Sequence, residues 1–353
     1  MNLNKLNAKL KIVIIFFLVK NSNIKYLKRK KIGVIGLPHS QNVGNNLLKF
    51  AMFIKLSELG FSPYIIGTLY ENHNISFINK TINIRLIKNF SEINENDYDL
   101  LMVNSDQTWR KGINDFYDIA FLKFAENWNI PKFTYGVSLG HGRWKYRKKN
   151  EKIAKHLLKN FSGISVREIS AVKLIKKHLG LKAQLVIDPT FLININYYLI
   201  IIKNYKSSII NKINNDDYIF AYILTNSIKI RNYLSYIEKR LNIKIFYLTI
   251  NDNNQVKEFL YGIIHSKAVI TDSYHGTCFS IMFKKPFISF INESNDQSRF
   301  NNLDLIFNIK NRIFNLNQIP PISLLKQPLN INQEKLIALK RQSLDYLKKN
   351  LFQ

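Results

Sequence analysis

From Lys31 to Ile291 two kinds of segment alternate, short apolar runs and stretches whose apolar residues recur at helical spacing. A run without polar alternation must be buried on both faces, which in a globular protein means a parallel strand covered by helices. In the first half the runs are KIGVIG (31–36), SPYIIG (62–67), DLLMVN (99–104), KFTYGVS (132–138), GISV (163–166) and AQLVI (183–187). Between them, Asn46 to Leu59, Lys152 to Phe161 and Ser170 to His178 have helical spacing, and Gly180 is expected to stop the last. A less regular stretch, Phe191 to Asn215, follows Asp188-Pro189.

The second series reads YIFAYIL (218–224), a helix near Ile228 to Leu241, KIFYLTI (244–250), a helix near Gln255 to His265, KAVIT (267–271), a helix after His275, and PFISFI (286–291). Leu336, Ile337, Leu339, Leu344 and Leu347 among lysines make a closing amphipathic helix. The expected fold is α/β, with two Rossmann-like doubly wound domains at 31–190 and 191–330. A basic extension (1–30) precedes them and the amphipathic helix (331–353) follows.

Cys278 is the single cysteine, which excludes an internal disulfide framework, and no Cys/His spacing suits a structural metal. Neither metal nor cofactor is expected, and the compartment reads as reducing. The 52 Lys+Arg against 24 Asp+Glu give +28, a field that favours phosphates, anionic headgroups or nucleic acid without choosing among them. The excess is spread along the chain with much Asn and Ile, as a coding bias toward A and T would also produce. No nucleic-acid module or aromatic-interleaved basic face is present, so no nucleic-acid partner is expected.

Residues 1–31 carry nine basic residues and no acid around the apolar run Ile12 to Val19. Eight helical residues reach about 12 Å, well short of a bilayer core of roughly 30 Å, so the run does not span. Lys20 follows directly with no small-residue cleavage site, which argues against a secretory signal. Two readings remain, a loosely packed extension and a basic anchor lying on the inner membrane face of a cytoplasmic protein.

Polar residues fall repeatedly just past a run's carboxyl end, where open α/β sheets bind ligands. Pro38 to Asn46 follow the first, Ser105-Asp106-Gln107 the third, Gly140-His141-Gly142 the fourth, Arg167-Glu168 the fifth, Asp188 the sixth, and Asp272 to His275 a run of the second series. Each has a plainer role beside the functional one. Asp188 before Pro189 suits a turn, Asp272 and Asp106 suit helix caps, and Arg167-Glu168 suits a surface pair. Cys278, one turn into an apolar helix, suits a small core residue. The loop around Gly44 has neither a dinucleotide fingerprint nor a phosphate loop, so neither NAD nor ATP is indicated.

The ordered set of segments Q-N-V-G-N-N (41–46), L-L-M-V-N-S-D-Q-T-W (100–109), I-S-V-R-E-I-S-A-V (164–172), V-I-D-P-T (186–190), A-V-I-T-D-S-Y-H-G-T-C-F-S-I (268–281) and S-R-F (298–300) resembles the polysaccharide pyruvyl transferase family. The resemblance covers about Lys31 to Phe307. It implies two Rossmann-like domains facing across a cleft, as in GT-B glycosyltransferases. It also implies transfer of the pyruvyl group of phosphoenolpyruvate, a co-substrate rather than a bound cofactor, to two hydroxyls of a sugar or lipid-linked oligosaccharide, forming a ketal of a capsule or cell-wall glycan.

Under that resemblance His275 is the expected acid and Asp106 the base or sugar-orienting group. Arg167 and Arg299 are expected on the donor's anionic groups, with the N–H groups of Gly276 and Thr277 near the phosphate. Asn42, Gly44, Asn45, Asp272 and Ser273 complete the expected binding set. Asn45 stands where relatives often carry Asp, and so belongs to binding, not proton transfer. Two alternatives stand beside this reading: a GT-B-like glycosyltransferase using a nucleotide sugar, and a non-enzymatic basic protein binding membrane or nucleic acid.

Overall fold

The computed structural model describes residues 29–37, 42–68, 82–110, 117–208, 217–248, 255–291 and 297–353. The basic extension up to residue 28 and most of the loop from Pro38 lie outside the described residues. The chain divides into two compact units, one running to Tyr197 and including Ala338–Gln353, the other Tyr198–Ile337.

In the first unit β1 (Lys31–Ile35), β2 (Ser62–Thr68), β3 (Ile84–Ile87), β4 (Leu100–Val103) and β5 (Lys132–Thr134) pair in parallel in the order β3-β2-β1-β4-β5. Every residue of β4 is buried, as an apolar run in a covered sheet requires. The last two expected runs are shorter than read, β6 (Ser165–Val166) and β7 (Gln184–Leu185), which pair with each other. Single bridges, Phe133 to Gly163 and Val137 to Val166, continue the sheet from β5. Strand β3 escaped the sequence reading because it is a half-exposed edge with Arg85 in its middle, whose guanidinium turns onto Asp97 and Tyr98.

The longer helices are α1 (Val43–Glu58), α2 (Lys148–Leu158) and α3 (Ile169–Leu179). Helix α1 begins three residues before the expected Asn46 because the Asn42 side chain caps it, accepting the Asn45 N–H at 3.0 Å. Gly180 ends α3 in the left-handed conformation (φ 69°), its N–H on the Lys176 carbonyl.

In the second unit β8 (Tyr218–Tyr222), β9 (Lys244–Tyr247), β10 (Ala268–Thr271), β11 (Phe287–Ile291) and β12 (Ile313–Asn315) are parallel in the order β9-β8-β10-β11-β12. Helices α4 (Ile228–Leu241), α5 (Gln255–His265), α6 (Tyr274–Met282) and α7 (Gln297–Phe307) accompany them. Both units are thus doubly wound, with the two strand orders common to such sheets.

The closing helix α8 (Gln333–Leu351) is not a separate body, because its residues from Ala338 belong to the first unit. Ser343 Oγ accepts the Ile187 N–H at 2.8 Å, the Tyr346 hydroxyl donates to the Thr134 carbonyl at 2.8 Å, and Ser162 Oγ donates to Asn350 Oδ1 at 3.0 Å. The chain accordingly divides after Tyr197, seven residues beyond the expected 190. Among the described residues no helix is long and apolar enough to cross a membrane.

Candidate functional site

A doubly wound sheet opens a crevice at its strands' carboxyl ends where the strand order reverses. In the first unit that point lies between β1 and β4, and in the second between β8 and β10.

Past β4, Asp106 adopts φ 94°, a backbone conformation that costs a non-glycine residue about 1–3 kcal/mol and collects at functional positions. Asp106 Oδ1 accepts from Arg167 Nη2 at 2.9 Å, and Arg167 Nη1 donates to Asp188 Oδ2 at 2.6 Å. Arg167 Nε lies 3.5 Å from Glu168 Oε1. Arg167 is 1 % exposed, Glu168 2 % and Asp188 3 %, so Arg167-Glu168 is a buried charge cluster and not the surface pair the sequence suggested. The sequence reading gave this guanidinium to a donor's anionic groups; in the structure both terminal nitrogens donate to the unit's own carboxylates.

Asp188 does form the expected turn as well. Its Oδ1 accepts the Thr190 N–H (3.0 Å) and hydroxyl (2.7 Å), capping the short 3-10 turn Pro189–Phe191. Among the described residues Asp106 caps no helix; its carbonyl accepts the Ser138 N–H at 2.8 Å.

Helix α1 follows β1, the strand on the other side of the reversal from β4. Gly44 and Asn45 are buried, Asn42 is exposed, and Asn45 Oδ1 has no hydrogen-bond partner among the described residues. Lys49 was missed by the sequence reading. It is 2 % exposed, burial lowers its pKa to about 7, and the Asp106 carboxylate opposes that shift. The signal was there: Asn42, Asn45 and Lys49 are three and then four residues apart, a polar stripe on a helix otherwise apolar through its middle.

In the second unit Ser273, not Asp272, caps α6, its Oγ accepting the Gly276 N–H at 3.3 Å. The Thr277 N–H donates to the Ser273 carbonyl at 3.0 Å. Both N–H groups expected near a phosphate are therefore engaged within the helix start. An ideal Cβ on Gly276 would stand 2.3 Å from Thr271 Oγ1, so only glycine lets α6 approach β10 this closely. Hydroxyls stitch this corner: Thr271 Oγ1 donates to the Tyr222 carbonyl (2.7 Å) and accepts the Ser273 N–H (3.0 Å), and Thr277 Oγ1 pairs with Ser289 Oγ (2.6 Å).

Asp272 reaches across the strand-order reversal. Its carboxylate accepts the Leu224 N–H (2.6 Å), the Thr225 N–H (2.8 Å) and the Thr225 hydroxyl (2.6 Å), tying the end of β10 to the loop after β8. Burial raises its pKa, while these hydrogen bonds pull it down. His275 lies inside the first turn of α6 and is 5 % exposed, its ring edge-on to Tyr274 at 5.3 Å. The Arg299 guanidinium, from α7, stands over the Tyr274 ring at 5.2 Å. The structure thus brings His275 and Arg299 against the one ring of Tyr274, although Arg299 is 24 residues further along the chain than His275. Cys278 is fully buried, as expected of a core residue.

Among the described residues no group of three or more His, Cys, Asp or Glu could hold a metal ion.

The family model described as polysaccharide pyruvyl transferase matches residues 13–295. Comparison with curated proteins gives no match. Among solved structures, a UDP co-structure of Staphylococcus aureus MnaA is similar at TM-score 0.54 and 13% identity, over 92% of this chain and 97% of that one. The UDP-GlcNAc 2-epimerase from Methanocaldococcus jannaschii is similar at TM-score 0.52 and 13% identity, over 88% and 92%. At such identity the likeness is one of fold.

Proposed function

Because the chain belongs to the polysaccharide pyruvyl transferase family, we propose that it moves the pyruvyl group of phosphoenolpyruvate onto two hydroxyls of a glycan sugar, as a ketal, with release of phosphate. Family membership makes it a relative of transferases; the donor and the ketal product belong to the proposal. The observation that carries it is the grouping of His275 with Arg299 about Tyr274 at the first turn of α6. Phosphoenolpyruvate carries a carboxylate and a phosphate, and a guanidinium beside a helix amino end suits such anions. Addition across the enol double bond also needs a proton at the methylene carbon, which His275 would deliver as a general acid.

Asp106 takes the role of base toward the acceptor hydroxyl, or of holding the sugar. Arg167, bonded to Asp106 and Asp188, serves in this reading to fix the Asp106 carboxylate. Contact of the basic amino-terminal stretch with an inner membrane surface, and a lipid-linked acceptor, are part of the same proposal.

The test is phosphate release from phosphoenolpyruvate by purified full-length protein with a panel of sugar acceptors, followed by mass analysis for the ketal. A nucleotide-sugar donor is the second reading, drawn from the fold likeness to UDP-bound and UDP-sugar proteins. Turnover of a UDP-sugar with none of phosphoenolpyruvate would replace the first reading by the second.

A further inference from the structure

Residues 143–182 hold 13 Lys+Arg against two acids, Glu151 and Glu168, a net +11 in a chain of +28 overall. Arg167 and Glu168 are buried, and the other twelve cations are all exposed. Positive charge is thus concentrated on one part of the first unit, and the fold decides how it is displayed.

Between β5 and β7 the chain steps across the sheet in one direction, from β5 to β6 by single bridges and from β6 to β7 by pairing. Right-handed crossovers then place both connecting helices, α2 and α3, on the same side of the sheet. They lie side by side. An ideal Cβ on Gly180, which ends α3, would stand 3.6 Å from Lys155 Nζ of α2, and His178 Nδ1 of α3 lies 3.5 Å from Glu151 Oε2 of α2.

On α2 and its C-cap Lys148, Lys149, Lys152, Lys155 and Lys159 are exposed, whereas Ala154, Leu157 and Leu158 are buried. On α3 Lys173, Lys176 and Lys177 are exposed, whereas Ala171, Ile175 and Leu179 are buried. At about 100° per residue each set of lysines forms one stripe opposite the buried one, so both stripes face away from the sheet on the same side. Two acids reach α2 and both are engaged: Glu151 accepts the Trp144 indole N–H at 2.9 Å, and Glu126 pairs with His156 at 2.7 Å.

This arrangement works against the helices that carry it. Lys148 and Lys149 open α2, where the helix dipole disfavours cations. Lys148 with Lys152, Lys155 with Lys159, and Lys173 with Lys177 are like charges four residues apart, which repel. Packing asks only for the buried stripes, so the exposed ones are explained by an anionic partner outside the chain.

We propose that the outer face of α2 and α3 is a docking surface for an anionic lipid bilayer. Two neighbouring helices about 16 Å long, with axes roughly 8–10 Å apart, spread their cations over an area, which suits a plane of headgroups better than a single strand. Ten of the twelve exposed cations are lysines, compact point charges that attract headgroups without the bidentate fork that reads a fixed phosphate. Helix α3 begins directly after Arg167-Glu168, so the face adjoins the sheet edge that carries the candidate site. Docking goes beyond the pyruvyl-transfer reading and is measured without turnover, so the two fail separately.

The test is cosedimentation of the full-length protein with vesicles of phosphatidylcholine, alone or with roughly one third phosphatidylglycerol, at ~0.1 M salt. Wild type should bind the anionic vesicles and not the neutral ones. Each lysine near such a surface strengthens binding about fivefold, so Lys149, Lys152, Lys173 and Lys176 changed together to Gln should weaken it at least ~10²-fold. A charge-matched control, Lys239, Lys244, Lys310 and Lys326 of the second unit changed to Gln, should weaken it less than ~5-fold. Melting temperature should not fall in the α2–α3 variant, since its changes relieve repulsion.

No binding of wild type to anionic vesicles would overturn the proposal. An equal loss in the two quadruple variants would overturn it in favour of net charge alone, and full binding by the α2–α3 variant would assign the contact to another part of the chain. Tighter binding to a polythymidine oligonucleotide than to the vesicles at the same salt, lost in the α2–α3 variant, would replace the bilayer by a nucleic acid.

Discussion

Arg167 and Asp188 form an ion pair in which both side chains are 1 % exposed, with Nη1 2.6 Å from Oδ2. Breaking a buried pair leaves its partner charge uncompensated, which costs far more than losing a surface pair. Here removal of the guanidinium would strand Asp106 and Glu168 as well as Asp188. Arg167→Met is expected to destabilise the protein by about 3–5 kcal/mol in urea unfolding at neutral pH. A variant as stable as wild type would show that this cluster does not hold the first unit together.

Gly276 stands where α6 leaves β10, and a methyl group there would press on Thr271 Oγ1. That threonine is fixed from two sides, by the Tyr222 carbonyl and the Ser273 N–H, so it has little room to yield. Gly276→Ala should cost about 1–3 kcal/mol by overpacking, read as a lower melting temperature.

Asp272 organises the loop after β8 instead of capping α6. Asp272→Ala removes the acceptor for two backbone N–H groups and a hydroxyl. Hydrogen exchange at Leu224 and Thr225 should speed up while the amides of β11 stay protected, with a stability loss of about 1–3 kcal/mol.

His275 is the residue on which the proposed chemistry depends most. His275→Gln keeps a polar side chain of similar reach in the first turn of α6. Phosphate release from phosphoenolpyruvate should drop at least ~10²-fold in this variant, the usual contribution of a positioned acid. Its circular dichroism and melting temperature should stay near wild type, which separates chemistry from folding.

Lys49 ties stability to pH with a definite sign. Its pKa is near 7 in the folded protein and about 10.4 in an unfolded chain, so between those values the unfolded state binds more protons. Stability from this group is therefore complete above about pH 10, falls by up to about 1.4 kcal/mol per unit as pH drops toward 7, and levels off below. Lys49→Met should lack this slope, so the difference between its unfolding free energy and that of wild type should grow as pH falls across the window.

Much of the fold was legible in the sequence because a strand covered on both faces must be apolar throughout. KIGVI, LLMV and AVIT are such strands, and the polar residues that follow them do sit at strand carboxyl ends. The αL stop at Gly180 was equally local, since one residue's backbone freedom decides it. The half-exposed edge β3 was not legible, because its IRLI pattern answers to one neighbouring strand instead of two covering layers.

The partners of charged groups were decided by tertiary structure alone. Arg167 lies 61 residues from Asp106 and 21 from Asp188, and only the sheet order brings the ends of β4, β6 and β7 together. The sequence showed that Arg167 stands at a strand end; it could not show that carboxylates already surround it. Lys49 likewise reads as one more lysine in a chain of +28, until burial in the folded unit lowers its pKa. Local patterns record what a residue's neighbours along the chain require, whereas charge and proton balance depend on distance in space, and folding alone sets that.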